Sequence, residues 1–331
     1  MPVHDTSYKH WDGVHLGLWS RRLVIARNGV ARCLQVKGMR HVVTVCWVAA
    51  LAMAVILFFV GQLLVPDGLV VQWVGNLNPQ LQMFARLLTT WLEQHPDISV
   101  RTTQNVLFYY FCIWLMPVNI FALGVVMPLL ITRDLASNSI IIYSSKAVSR
   151  GDYFLGKFST AFGLLALTWL GPVCAAWFLG NLVAPDWRFF WHSRAVLGHA
   201  LVYGLSSLSI LSLLALGISA ISSKEKTTPA LWFMWWIVGG VVAPIARQTQ
   251  PWLQHVSFNF NLDQIAIATF RIGADVKTAQ DNIPVLGDML RGIRPQTMTA
   301  LNSPAIWGAL AALLLMVGLA ALLLYKRVKP E

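Results

Sequence analysis

The sequence predicts an all-α, polytopic membrane protein with six transmembrane helices. Only 12% of its 331 residues are charged and 56% are hydrophobic, whereas soluble domains carry about 25% charged residues. Fifteen tryptophans strengthen this prediction, because indole rings favour the boundary between membrane and water. Six stretches approach or exceed the roughly 20 apolar residues that a spanning helix needs: 41–65, 106–131, 158–183, 197–221, 230–246 and 305–325.

Residues 1–40 are predicted to form a cytoplasmic segment that precedes the six-helix domain of residues 41–331. Between residues 14 and 40, apolar side chains alternate with arginines and lysines. This pattern is typical of a helix that lies in the membrane interface. A disordered basic tail is the alternative, and residues 1–12 fit that description. The segment has no signal-peptide pattern, so we expect the first apolar run to be a retained helix.

The distribution of positive charge predicts the orientation. With both termini in the cytoplasm, the inner segments hold sixteen Lys and Arg residues and the longer outer segments hold nine. This excess agrees with the rule that cytoplasmic loops are rich in Lys and Arg. Nucleic-acid binding is the competing explanation for a basic chain. Because these charges flank membrane helices, we expect no nucleic-acid partner.

The outer loops and the proline, glycine and hydroxylated residues of the spans predict where the helices are capped, kinked or closely packed. The outer loops, 66–105 and 247–304, contain short amphipathic stretches and are expected to cap the outer end of the membrane domain. The fifth span is predicted to be the shortest, and either less tilted or broken at Gly239-Gly240. Pro117 and Pro128 predict kinks in the second span. Small and hydroxylated residues in the fourth span favour close helix packing, with a polar pathway lining as the alternative.

Ionisable side chains are absent from most of the predicted membrane depth. No Asp or Glu falls within a predicted span, although ion-coupled transporters usually place such groups there. The energy for any pumping is therefore expected to come from another subunit. His192 and His199 are interpreted as interfacial residues rather than metal ligands. The four cysteines match neither a disulfide framework nor a metal site and are expected to be small packing residues: Cys33, Cys46, Cys112 and Cys174.

Residues 151–159, GDYFLGKFS, nearly match a phosphate-binding loop. Such a loop needs Ser or Thr directly after the lysine, because that hydroxyl holds the magnesium ion. Phe158 occupies this position, and the segment leads into a predicted span. We therefore predict no nucleotide site and interpret Lys157 as an interface anchor that reaches lipid headgroups. No catalytic motif occurs, so this chain is predicted to be no enzyme and to bind no cofactor or metal.

The connection between the second and third spans, residues 131–158, reads ITRDLASNSIIIYSSKAVSRGDYFLGKF. It resembles the corresponding loop of ABC-2 type permeases, the membrane subunits of ABC exporters. Asn138 and Ala147 depart from the family pattern, which has glycine and proline there. Asn tolerates the left-handed conformation that glycine allows, so the turn is expected to survive. The matching positions are Asp134, Ser137, 140–142, Ser145, 148–150, Tyr153, Gly156 and Lys157.

The resemblance implies a permease subunit of an ATP-binding-cassette exporter in a bacterial inner membrane. It implies two ATPase subunits that bind ATP and Mg, and a second permease copy or a related chain. Residues 132–157 would be the ATPase-coupling loop. An apolar run flanked by charges also suits docking into a protein groove, although an ordinary loop that enforces topology is the alternative. The candidate contacts are Asp134, Ser139, Ile140, Tyr143, Lys146, Arg150, Asp152 and Tyr153.

Two other functions remain open from the sequence. One is an ion-coupled secondary transporter, which the absence of membrane acids disfavours. The other is a membrane enzyme or assembly factor without transport, which the absence of catalytic motifs disfavours. The transported substrate is not predicted, because no binding residue stands out.

Overall fold

The computed structural model describes residues 17–65, 68–77, 89–90, 92–139, 149–282 and 304–327. Within these ranges the protein is helical and contains no strand. Six helices are long and apolar enough to cross a membrane, so the predicted fold class and number of spans are confirmed. The first to sixth spans are Lys37–Leu63, Ile98–Ala136, Arg150–Leu182, Arg188–Ser219, Thr227–Ala246 and Ile306–Arg327.

The third span begins at Arg150, well before the predicted start at residue 158. Ser149 and Asp152 form a capping box that starts the helix there. The Ser149 hydroxyl accepts the Asp152 backbone N–H at 3.1 Å, and Asp152 Oδ2 accepts the Ser149 backbone N–H at 3.2 Å. Because these bonds satisfy two free donors of the first turn, the helix extends beyond its apolar part. Residues 150–157 of the predicted coupling loop are therefore helical.

The fifth span does not break at Gly239-Gly240. One continuous helix runs over Thr227–Thr249, so of the two predicted alternatives the broken helix is wrong. A Cβ atom at Gly239 would lie 3.2 Å from the Cα atom of Ser257. The absence of a side chain at Gly239 thus allows the chain that follows the fifth span to pass close to this helix. The glycine serves close packing here and does not break the helix.

The N-terminal helix, Leu18–Gln35, packs on the inner end of the third span. We call inner the side that the charge distribution assigns to the cytoplasm. A Cβ atom at Gly156 would lie 2.6 Å from Ile25 Cγ2, and one at Gly29 would clash with Thr160 Oγ1. Trp19 and Leu23 of this helix are exposed. An apolar exposed surface beside a first span suits a helix in the membrane interface.

Cys33 lies in the contact between the N-terminal helix and the rest of the protein, and it is 1% exposed. Burial raises the pKa of its thiol to about 11. Because the thiolate is the reactive form, we expect Cys33 to resist a membrane-impermeant maleimide at pH 7 even in inverted vesicles. Labelling should increase only as the pH rises towards that pKa. Mass spectrometry of the labelled protein measures this.

Asn28 offers the matched position, because it lies on the same helix and is exposed. The Asn28→Cys variant should be labelled at pH 7 in inverted vesicles and protected in right-side-out cells. Labelling from the outside would contradict the orientation that the charge distribution predicts.

The fifth span is followed by a chain reversal that re-enters the bundle. A 3₁₀ helix, Pro251–Val256, runs back along the fifth span, where the Trp235 indole donates to the Val256 carbonyl at 3.2 Å. Phe258 stacks on Trp232 with ring centroids 5.4 Å apart. Trp232 lies near the inner start of the fifth span and donates to the Ile120 carbonyl within the second span. Phe258 is therefore at membrane depth.

From this depth, the re-entrant helix Phe258–Phe270 runs outward. Its last carbonyl, at Phe270, accepts a hydrogen bond from the Asn105 amide near the outer end of the second span. The helix Ile272–Asn282 follows. The prediction that residues 247–304 cap the outer end is therefore wrong for Phe258–Phe270, which enters the bundle, and residues 283–303 of this loop lie outside the described residues. The amphipathic stretch predicted in this loop is a helix, Phe258–Phe270, but it packs inside the helix bundle.

Small residues of the fourth span serve close packing, as predicted. A Cβ atom at Gly217 would lie 2.5 Å from the Ala320 Cβ atom of the sixth span. The Ser219 carbonyl accepts the Thr132 hydroxyl at 2.8 Å, which joins the inner ends of the second and fourth spans. These contacts bring the helices together by backbone approach and by interhelical hydrogen bonding.

Candidate functional site

The predicted coupling residues form three groups, of which two lie within the described residues and one lies outside them. Asp134 lies in the last turn of the second span and Ser139 follows that span, whereas Arg150, Asp152 and Tyr153 begin the third span. The other three candidates, Ile140, Tyr143 and Lys146, lie outside the described residues. The described site therefore consists of the inner ends of two neighbouring helices.

The second span ends in an unusual helical turn. A π-helical segment covers Pro128–Thr132, where Pro128 has no backbone N–H to continue the α-helical pattern. One more helical turn, Arg133–Ala136, follows. Asn138 then adopts a left-handed conformation with φ 52°. The prediction that Asn138 can adopt the conformation of the usual glycine at this turn is thus confirmed. The turn also brings the Ser137 and Ser139 hydroxyl oxygens to a distance of 2.5 Å.

Asp134 joins the end of the second span to the start of the third span. Its Oδ2 atom lies 2.6 Å from Lys157 Nζ and accepts the Tyr153 hydroxyl at 2.7 Å. The Asp134 and Lys157 side chains are only 15% and 12% exposed. Lys157 Nζ also donates to the Leu129 carbonyl of the π-helical segment at 3.4 Å. Lys157 thus points to the protein, whereas the sequence predicted contact with lipid headgroups.

Asp152 joins the same region to the N-terminal helix. Its Oδ1 atom lies 2.5 Å from Arg22 Nε, and the Asp152 side chain is 5% exposed. The Arg22 guanidinium also lies 4.7 Å from the centre of the Trp19 ring, a favourable cation–π distance. Sequence reasoning selected Asp152 but missed Arg22. The arginine-rich pattern of the N-terminal helix was the only available signal, and it does not identify a partner.

Arg133 reaches the connection between the fourth and fifth spans. Its Nε and Nη2 atoms donate to the two carboxylate oxygens of Glu225 at 3.0 and 3.1 Å. The two side chains are 54% and 50% exposed, so the pair contributes about 0–1 kcal/mol to stability. Both groups remain accessible to a partner from the inner side. Neither residue was among the predicted site residues.

These contacts define a coupling cluster at the inner face. It connects the N-terminal helix, the facing ends of the second and third spans, and the connection between the fourth and fifth spans. Arg150 lies exposed beside it and forms no ion pair within the described residues. The described residues also contain no group of three side chains that could hold a metal ion. The cluster comprises Arg22, Arg133, Asp134, Asp152, Tyr153, Lys157 and Glu225.

Comparison with models of protein families gives no match, and comparison with curated proteins gives no significant match.

A second polar cluster lies at the outer end of the bundle. Asp263, on the re-entrant helix, accepts the Tyr109 hydroxyl at 2.9 Å. Asn105 donates to Asp275 Oδ2 at 2.5 Å and lies 3.1 Å from a His199 ring nitrogen. Burial raises the pKa of the Asp275 carboxyl, against the lowering effect of the Asn105 hydrogen bond. Sequence reasoning placed no acid within a span, and it did not foresee that Asp263 would pack beside one.

Proposed function

We propose that this chain is the permease subunit of an ATP-binding-cassette exporter, driven by a separate ATPase that docks beside the coupling cluster. The observation that carries the proposal is the anchoring of the connection between the second and third spans. The Asp134–Lys157 pair binds both ends of this connection to each other, and the Asp152–Arg22 pair binds it to the N-terminal helix. A displacement of the connection is therefore passed directly to the membrane helices.

The exposed charges around the cluster supply the docking chemistry. Arg150 is unpaired within the described residues, and the Arg133–Glu225 pair is half exposed. Such groups fix the orientation of a partner whose apolar contacts supply the burial. In the proposed complex, two ATPase subunits hold ATP and Mg, and their closure displaces residues 132–157. A second permease copy or a related chain completes the pathway.

The Arg150→Glu variant tests the proposal most directly. Arg150 is exposed and makes no ion pair within the described residues, so its reversal should leave the fold intact. Loss of one member of a desolvated interface charge pair costs roughly 2–5 kcal/mol. We therefore expect the purified variant to lose an ATP-binding-cassette ATPase subunit that co-purifies with the wild-type chain on co-expression. Quantitative co-purification measures the loss.

Lys326→Glu is the matched control, because Lys326 is an exposed cation at the inner end of the sixth span. It should retain the ATPase at the wild-type ratio. Wild-type retention by Arg150→Glu as well would exclude Arg150 from the docking surface. Failure of the wild-type chain itself to retain any ATPase would contradict the exporter proposal.

The ion-coupled alternative is favoured by one observation, the position of Asp263. Its carboxylate lies on the re-entrant helix and is hydrogen-bonded to Tyr109 of the second span, and discontinuous helices are the elements that hold coupling ions in secondary transporters. The exporter proposal expects no proton flux through the reconstituted chain when a pH gradient is imposed without ATPase. A flux reported by an internal pH dye and abolished by Asp263→Asn would favour the alternative instead.

A further inference from the structure

A cavity of about 390 Å³ lies between the end of the N-terminal helix and the inner end of the second span. The coupling cluster accounts for two of its lining residues but leaves the others without a role. The side chains that face it combine three hydrogen-bond donors with one carboxylate and two apolar groups. The lining consists of Arg32, Gln35, Val36, Leu129, Arg133 and Asp134.

The charges around this cavity do not cancel. Asp134 is paired with Lys157, and Arg133 is paired with Glu225. Arg32 is exposed and forms no ion pair within the described residues. The cavity therefore has one uncompensated positive charge, which suits a ligand with a single negative charge.

The donors around the cavity suit an anion with several acceptor oxygens. Arg133 uses its Nε and Nη2 atoms on Glu225, so its Nη1 atom keeps two N–H groups for a ligand. Arg32 presents a complete guanidinium fork, and Gln35 adds an amide donor. Arginine forks match phosphate oxygens particularly well. A phosphodiester has one negative charge and several acceptors, so it satisfies both conditions.

The depth of the cavity indicates the source of this phosphodiester. Val36 directly precedes the first span, which begins at Lys37, and Arg133 directly follows the π-helical segment of the second span. The cavity therefore lies where two spans leave the hydrocarbon layer, which is the level of the lipid headgroups. Val36 and Leu129 give it an apolar wall that suits the glycerol end of a lipid better than a soluble phosphate.

We propose that this cavity binds the phosphodiester of an anionic phospholipid headgroup through Arg32, Gln35 and Arg133. The bound lipid bridges the N-terminal helix and the second span, and it lies directly beside Asp134. The membrane thereby becomes a structural partner of the coupling cluster. This assignment depends on the membrane location and not on the exporter function.

Native mass spectrometry of the full chain tests the site, with phosphatidylglycerol as the probe and phosphatidylcholine as the comparison lipid. Arg32→Gln should weaken binding of the first phosphatidylglycerol about tenfold, the size expected for loss of one charge-assisted contact. Gln35→Leu should weaken it less. Arg27→Gln is the matched control, because Arg27 is exposed on the same helix but does not line the cavity. It should stay within about twofold of wild type.

Three outcomes would overturn the proposal. Equal weakening by Arg32→Gln and Arg27→Gln would indicate attraction to the helix surface as a whole. Equal binding of phosphatidylcholine would remove the need for an anionic headgroup. Displacement of the lipid by millimolar inorganic phosphate would assign the cavity to a soluble phosphate. None of these measurements includes an ATPase, so their failure is distinct from failure of the exporter proposal.

Discussion

Asp134→Lys is expected to be the most damaging single charge change at the inner face. It removes the acceptor for the Tyr153 hydroxyl and places a second cation beside Lys157, which is only 12% exposed. Breaking a buried ion pair by changing one partner costs about 3–5 kcal/mol, and the new repulsion adds to this cost. We expect a lower unfolding temperature of the purified chain and, under the proposed function, loss of the ATPase that is expected to co-purify.

Exchange of the two charges of the Asp134–Lys157 pair distinguishes a loss of stability from a loss of docking. Asp134→Lys combined with Lys157→Asp restores opposite charges and should recover part of the lost stability. Arg133→Glu is the control on the same turn, because its pair with Glu225 is half exposed and should change stability by less than about 1 kcal/mol. A wild-type unfolding temperature for Asp134→Lys would show that the Asp134–Lys157 contact does not hold these helices together.

The second large effect is expected from Gly156→Leu. Already a Cβ atom at this position would lie 2.6 Å from Ile25 Cγ2 and 2.8 Å from Ile25 Cβ. Because Ile25 is β-branched, it has few alternative side-chain conformations, so the N-terminal helix must move away. Overpacking of this kind costs about 1–3 kcal/mol. The displaced helix should expose Cys33, which then reacts with maleimide at pH 7.

Gly163→Ala is the control for this change. Its Cβ atom would meet Val30 Cγ2 at 3.5 Å, an ordinary contact distance. The variant should keep Cys33 protected and the unfolding temperature unchanged. If Gly156→Leu also leaves Cys33 protected, the close packing of the N-terminal helix on the third span is not essential to its position.

The spans were predictable because apolar length is a local property of the sequence. Helix starts were less predictable, since the third span begins at a capping box outside its apolar part. The re-entrant helix Phe258–Phe270 was missed as a membrane element for a related reason. It has only 13 residues, too few to span a membrane, and its polar residues Asn259, Asn261 and Asp263 are typical of a surface loop.

The candidate site was predictable in its residues but not in their contacts. Asp134, Asp152 and Tyr153 were selected from the local pattern. Their structural roles depend on partners that sequence spacing cannot identify, such as Arg22, which is 130 residues from Asp152. Lys157 shows the same limit. Its local sequence fits a headgroup anchor, and only the fold brings it to Asp134 and to the Leu129 carbonyl of the π-helical segment.

The reversal between the fifth span and the re-entrant helix has a consequence for solvation. Backbone groups inside a bilayer have no water to bind, so side chains must replace it. Asn261 donates to the His255 carbonyl at 2.7 Å, and its Oδ1 atom lies 2.7 Å from His255 Nδ1. The Ser257 hydroxyl accepts the Phe260 backbone N–H. A more hydrophobic sequence at this reversal, such as Asn261→Leu, would therefore be less compatible with the membrane.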